Sequence, residues 1–458
     1  MTALSCDSPV QAFARFTDTI AMGEAWRKQL PALLGKPFEF TACNVQYARC
    51  RTYLNPVSWH KSFLCVCYEF DAAPKRNNSH NPMLYCRAYL HGRSRLEFDV
   101  LAQPDGAQHV PELDMIVWNF PDDPRLPQLR ELLDMARVVH HLPYANLPFS
   151  GPESIVDIAV QVVRYRPEQR CILRYDINFG VTRERFVLYA KVFADDNGVR
   201  VFNRMRHCHA TASALGARVA RPLGYGAAVR TVWQEELSGA PLTVVVDGGN
   251  YDAPLAAIGN CLARLHAADL PMQTTVTREA RLEDVRKKSR KLGQLLPELA
   301  AELEAAIARG RSELAELPPA QEAVIHGDVH FGQFLITADG AVALFDFDEW
   351  SHGDPAQDLA DLIVDPHTSQ FARGITAQMN RTLSARVARV LLASYRSHVT
   401  WTVTDAEIAW HARVQLINKA YRATIAQEPR WREKVPGLVA LATSGIDLGA
   451  NLEQEVSR

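Results

Sequence analysis

The stretch VIHGDVHFGQFL, residues 324–335, places two histidines and one aspartate within five positions, between apolar flanks. Val324 and Ile325 are typical of the end of a buried strand, and Gly327 permits a tight turn. Asp328 would then lie on a loop, before apolar residues resume. The pattern therefore predicts polar side chains gathered at the end of a strand.

A second acidic segment, ALFDFDEW at residues 343–350, follows shortly afterwards and carries Asp346 and Asp348. Carboxylates would thus leave the ends of two adjacent strands. Buried carboxylates close to one another are costly unless a cation or a substrate proton compensates them. Mg²⁺, which prefers oxygen ligands, is the usual solution. On spacing alone, a pair of aspartates that only caps turns is an equal alternative.

Two blocks of the chain, 40–120 and 155–240, have the aromatic and β-branched content of strands. The Pro-rich segment LPYANLPFSGPES, 142–154, breaks the pattern between them. Similar strings occur in the same order in both blocks: RTYLNP and RYRPEQ, FLCVCYEF and CILRYDI, MLYCRAYL and VLYAKVF, IVWNFP and TVWQEEL. This order predicts an internal duplication of a small β-unit.

After residue 240 the apolar residues adopt helical spacing, except at 322–348, where short strands surround a turn at Asp339 and Gly340. We therefore expect an α+β protein with three parts. These are a β-rich N-terminal domain at 1–150, a second β-rich part at 151–240 and a helical part at 241–458.

Length and composition agree with this division. The chain has 458 residues, more than one hydrophobic core usually serves, so two or three structural units are expected. With 50 Lys and Arg against 52 Asp and Glu, no overall field favours nucleic acid or an anionic membrane. Nine cysteines without a CxxC pair are interpreted as reduced thiols, and no signal or spanning segment is evident. A cytoplasmic protein without nucleic-acid or membrane partners is expected.

The string HGDVHFGQ, followed by LFDFDEWSHGDPAQDLA, resembles the catalytic core of the aminoglycoside phosphotransferase and choline kinase family. The family pattern is HGDxHxxN, then (I/L)D(F/W), then GDPxxDLA. The resemblance spans residues 150–458 and is strongest at 324–365. It implies a bilobal protein-kinase-like fold with a β-rich small lobe and a mostly helical large lobe. Residues 1–150 would precede it as an extra β-rich domain.

The resemblance also implies catalytic roles. Asp328 would be the catalytic base that accepts the proton of a substrate hydroxyl, and Asp346 would hold Mg²⁺ on the phosphates of ATP. Asp348 would support this site. The sequence departs from the family pattern at Gln333, which replaces the metal-binding Asn. Gln offers the same amide oxygen one methylene further out, so metal binding is expected to survive.

For the nucleotide, Lys191 in RFVLYAKVF resembles the phosphate-pairing Lys of the third kinase strand. The alternative is an edge-strand Lys with its amine in solvent. The next helix-like stretch has no acidic residue to hold Lys191. A GxGxxG loop is also absent, and RYRPEQRC occupies the corresponding turn. The backbone of Glu235, Glu236 and Leu237 resembles the linker that hydrogen-bonds an adenine.

Four further residues are expected to support the site. His326 and His330 would shape the loop rather than transfer protons. Asp354 would cap a helix that begins at Pro355, with Gln357 reaching back as in a capping box. Asp358 would lie favourably in the first turn of that helix and could also brace the catalytic loop.

The first block would be a degenerate copy of the small lobe without its helical partner. Aligning MLYCRAYL with VLYAKVF puts Arg87 at the position of Lys191, and no HGD motif follows within the block. It is therefore not expected to bind ATP productively. It would either pack on the small lobe or form the surface of a homodimer.

The sequence thus predicts an ATP-dependent phosphotransferase that acts on the hydroxyl of a small molecule, sugar-like or another metabolite. Residues 366–458 hold 12 Lys or Arg against 7 Asp or Glu, which disfavours polycationic aminoglycosides. Two alternatives stay open. One is a non-catalytic kinase-like binding or scaffold protein, and the other is a phosphotransferase for a peptide Ser or Thr hydroxyl.

Overall fold

The computed structural model describes residues 8–53, 56–72, 81–101, 106–247, 249, 251–270, 272, 274–369 and 377–448. The chain divides into two compact units. The first unit comprises Met1–Asn203, Arg221–Glu236 and Ile425–Glu428, and the second comprises Arg204–Ala220, Leu237–Thr424 and Pro429–Arg458. Among the described residues, no helix combines the length and apolar character needed to span a membrane.

The N-terminal part up to residue 150, called the first block from here on, contains both helices and strands. The helices are α1 Pro9–Phe13, α2 Thr19–Leu34, α3 Arg93–Val100, α4 Leu129–Leu132 and α5 Met135–Val138. The strands are β1 Ala42–Arg51, β2 Phe63–Asp71, β3 Met83–Ala88, β4 Ala107–Val110 and β5 Met115–Asn119. They form one antiparallel sheet in the order β1-β2-β3-β5-β4.

The second block repeats this connectivity. Its strands are β6 Ile155–Arg166, β7 Arg170–Phe179, β8 Glu184–Phe193, β9 Ala217–Val219, β10 Pro222–Gly226 and β11 Thr231–Glu235, with helix α6 at Asn197–Leu215. The sheet has the order β10-β11-β8-β7-β6, and β9 pairs elsewhere. In both sheets three antiparallel strands, a helix and two more strands follow one another, which agrees with the predicted duplication. Helix α3 of the first block and α6 of the second both follow the third strand.

The alignment that puts Arg87 at the position of Lys191 is wrong by one residue. The Val-Trp pairs Val117–Trp118 in β5 and Val232–Trp233 in β11 occupy corresponding strands of the two sheets, each next to the third strand. Cys86 lies opposite Val117, whereas Lys191 lies opposite Val232. Because neighbouring residues of a strand point to opposite faces, Arg87 lies on the face that Lys191 does not share.

One apolar core joins the two sheets of the first unit. Strand β7 shows why, because its buried and half-buried residues alternate over the whole strand. The buried members include Cys67, Tyr85, Ile116 and Trp118 of the first sheet and Leu173, Tyr175, Ala190 and Trp233 of the second. The Phe120 and Tyr165 rings lie 4.8 Å apart in an edge arrangement. The predicted boundary near residue 150 thus runs between two sheets of one compact unit.

The second unit is mostly helical. Its helices are α7 Leu242–Asp247, α8 Asp252–His266, α9 Arg278–Leu295, α10 Ala300–Glu316, α11 Ala356–Val364, α12 Pro366–Ser369, α13 Ala377–Arg396, α14 Asp405–Ile425 and α15 Trp431–Ser444. Its strands after β9 are β12 Ala240–Pro241, β13 Thr275–Val276, β14 Ala323–Ile325, β15 Phe334–Ile336, β16 Val342–Leu344 and β17 Ser351–Gly353. They form two small sheets, β12-β15-β16-β9 and β13-β17-β14. The α+β class and the short strands predicted at 322–348 are confirmed.

The shared core predicts that residues 151–458 alone will not form a soluble, cooperatively folding protein. Removal of the first block would expose the apolar face that carries Leu173, Tyr175 and Trp233. In the full chain, Trp118→Ala should lower the free energy of unfolding by about 3–5 kcal/mol. Urea unfolding and size-exclusion chromatography measure these effects.

The matched control is Leu96→Ala, since Leu96 is 64% exposed and its truncation should change stability little. A soluble 151–458 fragment that melts at the temperature of the full chain would contradict the shared core.

Candidate functional site

The predicted catalytic loop begins directly after β14 and makes a tight turn. His326 is fully buried, and Gly327 has a φ of +81°. A Cβ atom at Gly327 would lie 2.6 Å from the backbone oxygen of Glu349, so both the conformation and the space require glycine. The loop therefore packs closely against the segment that carries Asp346 and Asp348.

Asp358, in the first turn of α11, holds this loop from below. Its Oδ2 accepts the backbone N–H of His326 at 2.6 Å, and its Oδ1 accepts the N–H of Gly327 at 2.9 Å. His266 Nε2 lies 3.2 Å from Oδ2, and the other ring nitrogen of His266 lies 2.9 Å from the Tyr395 hydroxyl. The bracing role expected for Asp358 thus has a concrete form: one buried carboxylate satisfies two consecutive loop amides.

Burial alone would raise the pKa of Asp358. The hydrogen bond and charge of His266, together with the charge of His326, outweigh burial and lower the pKa below its ordinary value. The carboxylate therefore stays ionised while it is fully buried. Ionised carboxylates are strong acceptors for backbone N–H groups, so the loop is held firmly.

Asp354 belongs to a second buried charged cluster. Its carboxylate binds the Arg278 guanidinium and lies 3.0 Å from His411 Nε2, while Arg278 also donates to Glu407 at 2.5 Å. Its Oδ1 accepts the N–H of Ala356, the first residue of α11, at 2.9 Å. The helix thus begins one residue after the predicted start at Pro355, and Pro355 rather than Asp354 is its N-cap residue.

The predicted capping box at α11 is only half right. The side chain of Gln357 does not reach back to the backbone of Asp354. It donates instead to the carbonyl oxygen of Gly327 at 3.4 Å, because the loop lies within its reach. Gln357 therefore adds a third contact between α11 and the catalytic loop.

Asp346 and Gln333 contact each other at neighbouring strand ends. Gln333 Nε2 lies 3.3 Å from Asp346 Oδ2, and Gln333 is 4% exposed. The pairing of Phe334 with Leu344 in β15 and β16 brings them together. Asp346 has a φ of +68°, a strained conformation for a non-glycine residue that functional sites often retain. Asp348 lies on the same turn, and its backbone oxygen accepts a hydrogen bond from Arg204.

This pair could hold a divalent cation. Rotating the Gln333 amide by half a turn would place its oxygen beside the Asp346 carboxylate, and Mg²⁺ takes such oxygens. In the part of the chain that the structure describes, no group of three or more His, Cys, Asp or Glu side chains is placed to share a metal ion. Of the metal-binding residues predicted from the sequence, the structure brings together the Asp346 carboxylate and the Gln333 amide.

Asp328 is one-third exposed, and an arginine that the sequence did not single out lies beside it. Arg422 Nη1 of α14 is 3.4 Å from Asp328 Oδ1, and Arg422 is half exposed. Ninety-four positions separate the two residues, so no local motif could reveal the pair. One turn earlier on α14, Lys419 binds Asp365 at 2.9 Å. Both cations of α14 are therefore paired with a carboxylate, and of the two Arg422 is the more exposed, at 50% against 14% for Lys419.

The two histidines of the motif both make contacts that shape the loop. His326 Nε2 lies 3.1 Å from the carbonyl oxygen of Phe345, and His330 Nδ1 accepts the N–H of Gly332 at 3.0 Å. Burial lowers the pKa of His330, which favours the neutral ring that can accept this bond. These contacts agree with the expected supporting role.

Lys191 lies in the first unit, near the end of β8, which is the central strand of its sheet. It is half-buried between Ile172 and Val232, and its Nζ lies 5.5 Å from the centre of the Phe193 ring. Helix α6 carries no acidic residue, as the sequence indicated. A cation–π contact with Phe193 is thus one interaction that orients Lys191 in place of a helix Glu.

The segment expected to contact adenine is partly occupied by the sheet. Glu235 N–H donates to Arg221 O at 3.0 Å, and Glu236 N–H donates to Val187 O at 3.4 Å. The Glu235 side chain also accepts Arg221 Nε at 2.9 Å. Because the N–H groups of Glu235 and Glu236 already have partners, the groups predicted to bind adenine are reduced to the carbonyl oxygens of residues 235–237 and the N–H of Leu237.

Comparisons with known proteins agree with the motif assignment. A family model described as "Phosphotransferase enzyme family" matches residues 179–428. A crystal structure of a thermostable mutant of aminoglycoside phosphotransferase APH(4)-Ia has a TM-score of 0.47 and 14% identity, and the match covers 64% of this chain and 95% of that one. Choline kinase LicA from Streptococcus pneumoniae has a TM-score of 0.44 and 15% identity, with coverages of 64% and 94%.

A protein of Deinococcus radiodurans described as uncharacterized is 37% identical over 116 residues, which is 24% of this chain and 34% of that protein. This chain thus spans about a third of the length of that relative.

Substituting Asp358→Asn should loosen the catalytic loop. An amide has one acceptor oxygen for two backbone N–H groups, so one buried donor loses its partner at a cost of about 1–3 kcal/mol. Urea unfolding should show this loss, and amide hydrogen exchange of residues 326–333 should accelerate. Asp284→Asn, at an exposed helix position, serves as the control. Unchanged exchange in the loop would contradict the bracing role.

The Asp354 cluster predicts a specific loss of stability in acid. Burial raises the pKa of Asp354, but the hydrogen bond and charge of His411 and the charge of Arg278 outweigh it and lower the pKa from 3.8 to about 2. The unfolded chain therefore binds this proton first, so the stabilisation is complete above about pH 4 and is lost as the pH falls towards 2.

In Asp354→Asn, the decrease in unfolding free energy between pH 5 and pH 2 should be smaller than in the unsubstituted protein, by about 2 kcal/mol. Urea unfolding at several pH values measures this difference, and the exposed Asp405→Asn is the control. Parallel pH profiles for Asp354→Asn and the unsubstituted protein would refute the assignment.

Proposed function

The chain belongs to the phosphotransferase enzyme family, and on that premise we propose that it is an ATP-dependent kinase that phosphorylates a hydroxyl group of a small molecule. The observation that carries the proposal is the contact of Gln333 with Asp346 at the end of the loop that holds Asp328. These are the residues to which the motif assigns metal binding and proton transfer.

In this proposal Asp328 is the general base. Its carboxylate lies on a loop whose preceding residues are fixed by Asp358, and it is exposed enough to meet a substrate. It would accept the proton of the acceptor hydroxyl as the oxygen attacks the γ-phosphate of ATP. Fixing the backbone of His326 and Gly327 limits how far Asp328 moves, which is what positioning a base requires.

Asp346 and Gln333 would hold Mg²⁺ with their oxygens. A bound Mg²⁺ would offset the negative charge of the phosphates during transfer. Lys191 would pair with the phosphates from the β-rich unit, and the backbone at Glu235–Leu237 would contact the adenine.

The half-exposed Arg422 beside Asp328 supports an acceptor that is neutral or anionic. A polycationic acceptor would be repelled by a guanidinium beside the base, whereas a sugar-like hydroxyl compound or an acidic metabolite would not.

Asp328→Asn tests the proposal most simply. Turnover should fall by about 10² or more if Asp328 is a general base, while the affinity for Mg²⁺ and ATP stays close to that of the unsubstituted protein. ADP release is measured against sugars, amino alcohols and antibiotics, and nucleotide binding by calorimetry. Asp339→Asn, at an exposed turn, controls for the loss of one charge.

Two results would count against the proposal. If the unsubstituted protein binds no nucleotide with any divalent metal, the non-catalytic scaffold alternative is favoured. If Asp328→Asn turns over normally, another group is the base.

A further inference from the structure

The turn between β6 and β7, residues 166–170, has the sequence RPEQR and contains no glycine. In protein kinases a glycine-rich loop at this point covers the phosphates of ATP. Arg166 pairs with Arg170, and Arg170 pairs with Phe193. Since Lys191 is two residues from Phe193, both arginines lie on the same sheet face as Lys191, one row further along.

We propose that the first block clamps this turn, and that Glu168, Arg87, Tyr85 and Asp123 are positioning residues for nucleotide binding. The inference rests on the proposed kinase function. The first block would then contribute to nucleotide binding by positioning this turn, without contacting ATP itself.

Glu168 is the centre of the clamp. Its Oε1 accepts the Tyr85 hydroxyl at 2.7 Å and Arg87 Nε at 2.9 Å, and its backbone N–H donates to Asp123 Oδ2 at 2.8 Å. The side chains of Arg87 and Glu168 are 18% and 11% exposed, so little water screens the pair. The turn is thus held both by its side chain and by its backbone.

The groups that hold the turn are themselves fixed in the first block. The Arg87 guanidinium lies 5.2 Å from the Trp118 ring centre and 5.8 Å from that of Phe63. Asp123 is 4% exposed, and it also accepts the Tyr165 hydroxyl at 2.6 Å. Arg87 and Asp123 are therefore held in place by these contacts, and they in turn restrict the position of Glu168.

The backbone at Glu168 indicates that the contacts decide the conformation. Its φ is +60°, in the left-handed region that side chains other than Gly and Asn rarely adopt. Such a residue persists where its surroundings over-determine it. Glycine would relieve the strain, yet the chain keeps the carboxylate that binds Arg87 and Tyr85.

A clamped turn replaces a flexible loop with a preorganised one. A glycine-rich loop loses conformational entropy when it closes on a nucleotide, whereas a turn that is already fixed does not. Arg166 and Arg170 would thus meet the phosphates in a predetermined position. This accounts for a β-unit that has the connectivity of the second sheet but places Arg87 on the opposite face from Lys191.

The test uses Glu168→Gln and Glu168→Gly in the full chain. Both should raise the Kd of Mg²⁺ and ATP by about tenfold, since both lose charged hydrogen bonds to the clamp. KM for ATP should rise with Kd, and kcat at saturating ATP should change less. Amide exchange at residues 166–170 should accelerate in both variants. Arg87→Gln should produce the same effects, and combining it with Glu168→Gln should add little to either single change.

The matched control is Asp99→Asn, which breaks an exposed ion pair with Arg95 on α3 of the same block. It should leave Kd and exchange unchanged. Variants that bind ATP as tightly as the unsubstituted protein would overturn the inference. So would Glu168→Gly binding normally while Glu168→Gln does not, because backbone strain would then explain the effect.

Failure of the proposed function would be recognised separately. An unsubstituted protein that binds no nucleotide refutes the kinase proposal and with it the role of the turn in binding. If exchange at 166–170 is also identical in all variants, the clamp itself is refuted.

Discussion

The buried carboxylate of Asp358 is the constraint on which the rest of the site depends. A loop that leaves a strand at a tight turn presents backbone N–H groups with no partner in a sheet or helix, and such groups are costly when buried. Asp358 accepts two of them, from His326 and Gly327. The positions of the residues that follow, Asp328 and Gln333, are set from this fixed point.

The GDPAQDLA segment lies next to the loop because its polar side chains bind buried groups there. Asp354, Gln357 and Asp358 face a cluster of buried charged and polar groups or the loop itself, and every residue of α11 is buried. A buried charge is tolerated only when it has a partner. Removing one member of a buried ion pair is destabilising because the remaining charge stays in a low-dielectric environment without compensation. The segment thus begins a helix and also supports the loop that is predicted to be catalytic.

The β-rich unit shows a different route to rigidity. Two sheets with the same connectivity share one apolar core, so the first block is part of the folding unit of the second. Its polar contacts with the second sheet include those at the 166–170 turn, where Glu168 binds Arg87, Tyr85 and Asp123. We infer that the first sheet arose by duplication and became a scaffold for the second. In this proposal the scaffold fixes the 166–170 turn, which takes the place of a flexible glycine-rich loop.

The sequence was sufficient for the elements and motifs that depend on local spacing. The short strands around the HGD loop and the helical second part follow from periodicity. Gln333 and Asp346, which contact each other, were assigned to one site through the family resemblance. Contacts between distant segments could not be predicted. Arg422 lies beside Asp328 across 94 positions, and Arg87 binds Glu168 across 81. The Arg87 alignment failed because a shift of one residue in a strand reverses the face, and composition alone does not fix the register.

Asp346 and Gln333 are proposed to share a cation beside the general base Asp328. A crystal structure with Mn²⁺ and a non-hydrolysable ATP analogue tests it most directly, because anomalous scattering locates the metal. We expect a peak within bonding distance of the Asp346 carboxylate and the Gln333 amide oxygen, with the terminal phosphate facing Asp328. A metal bound elsewhere, or an Asp328 carboxylate that faces a separate cavity, would contradict the proposed site.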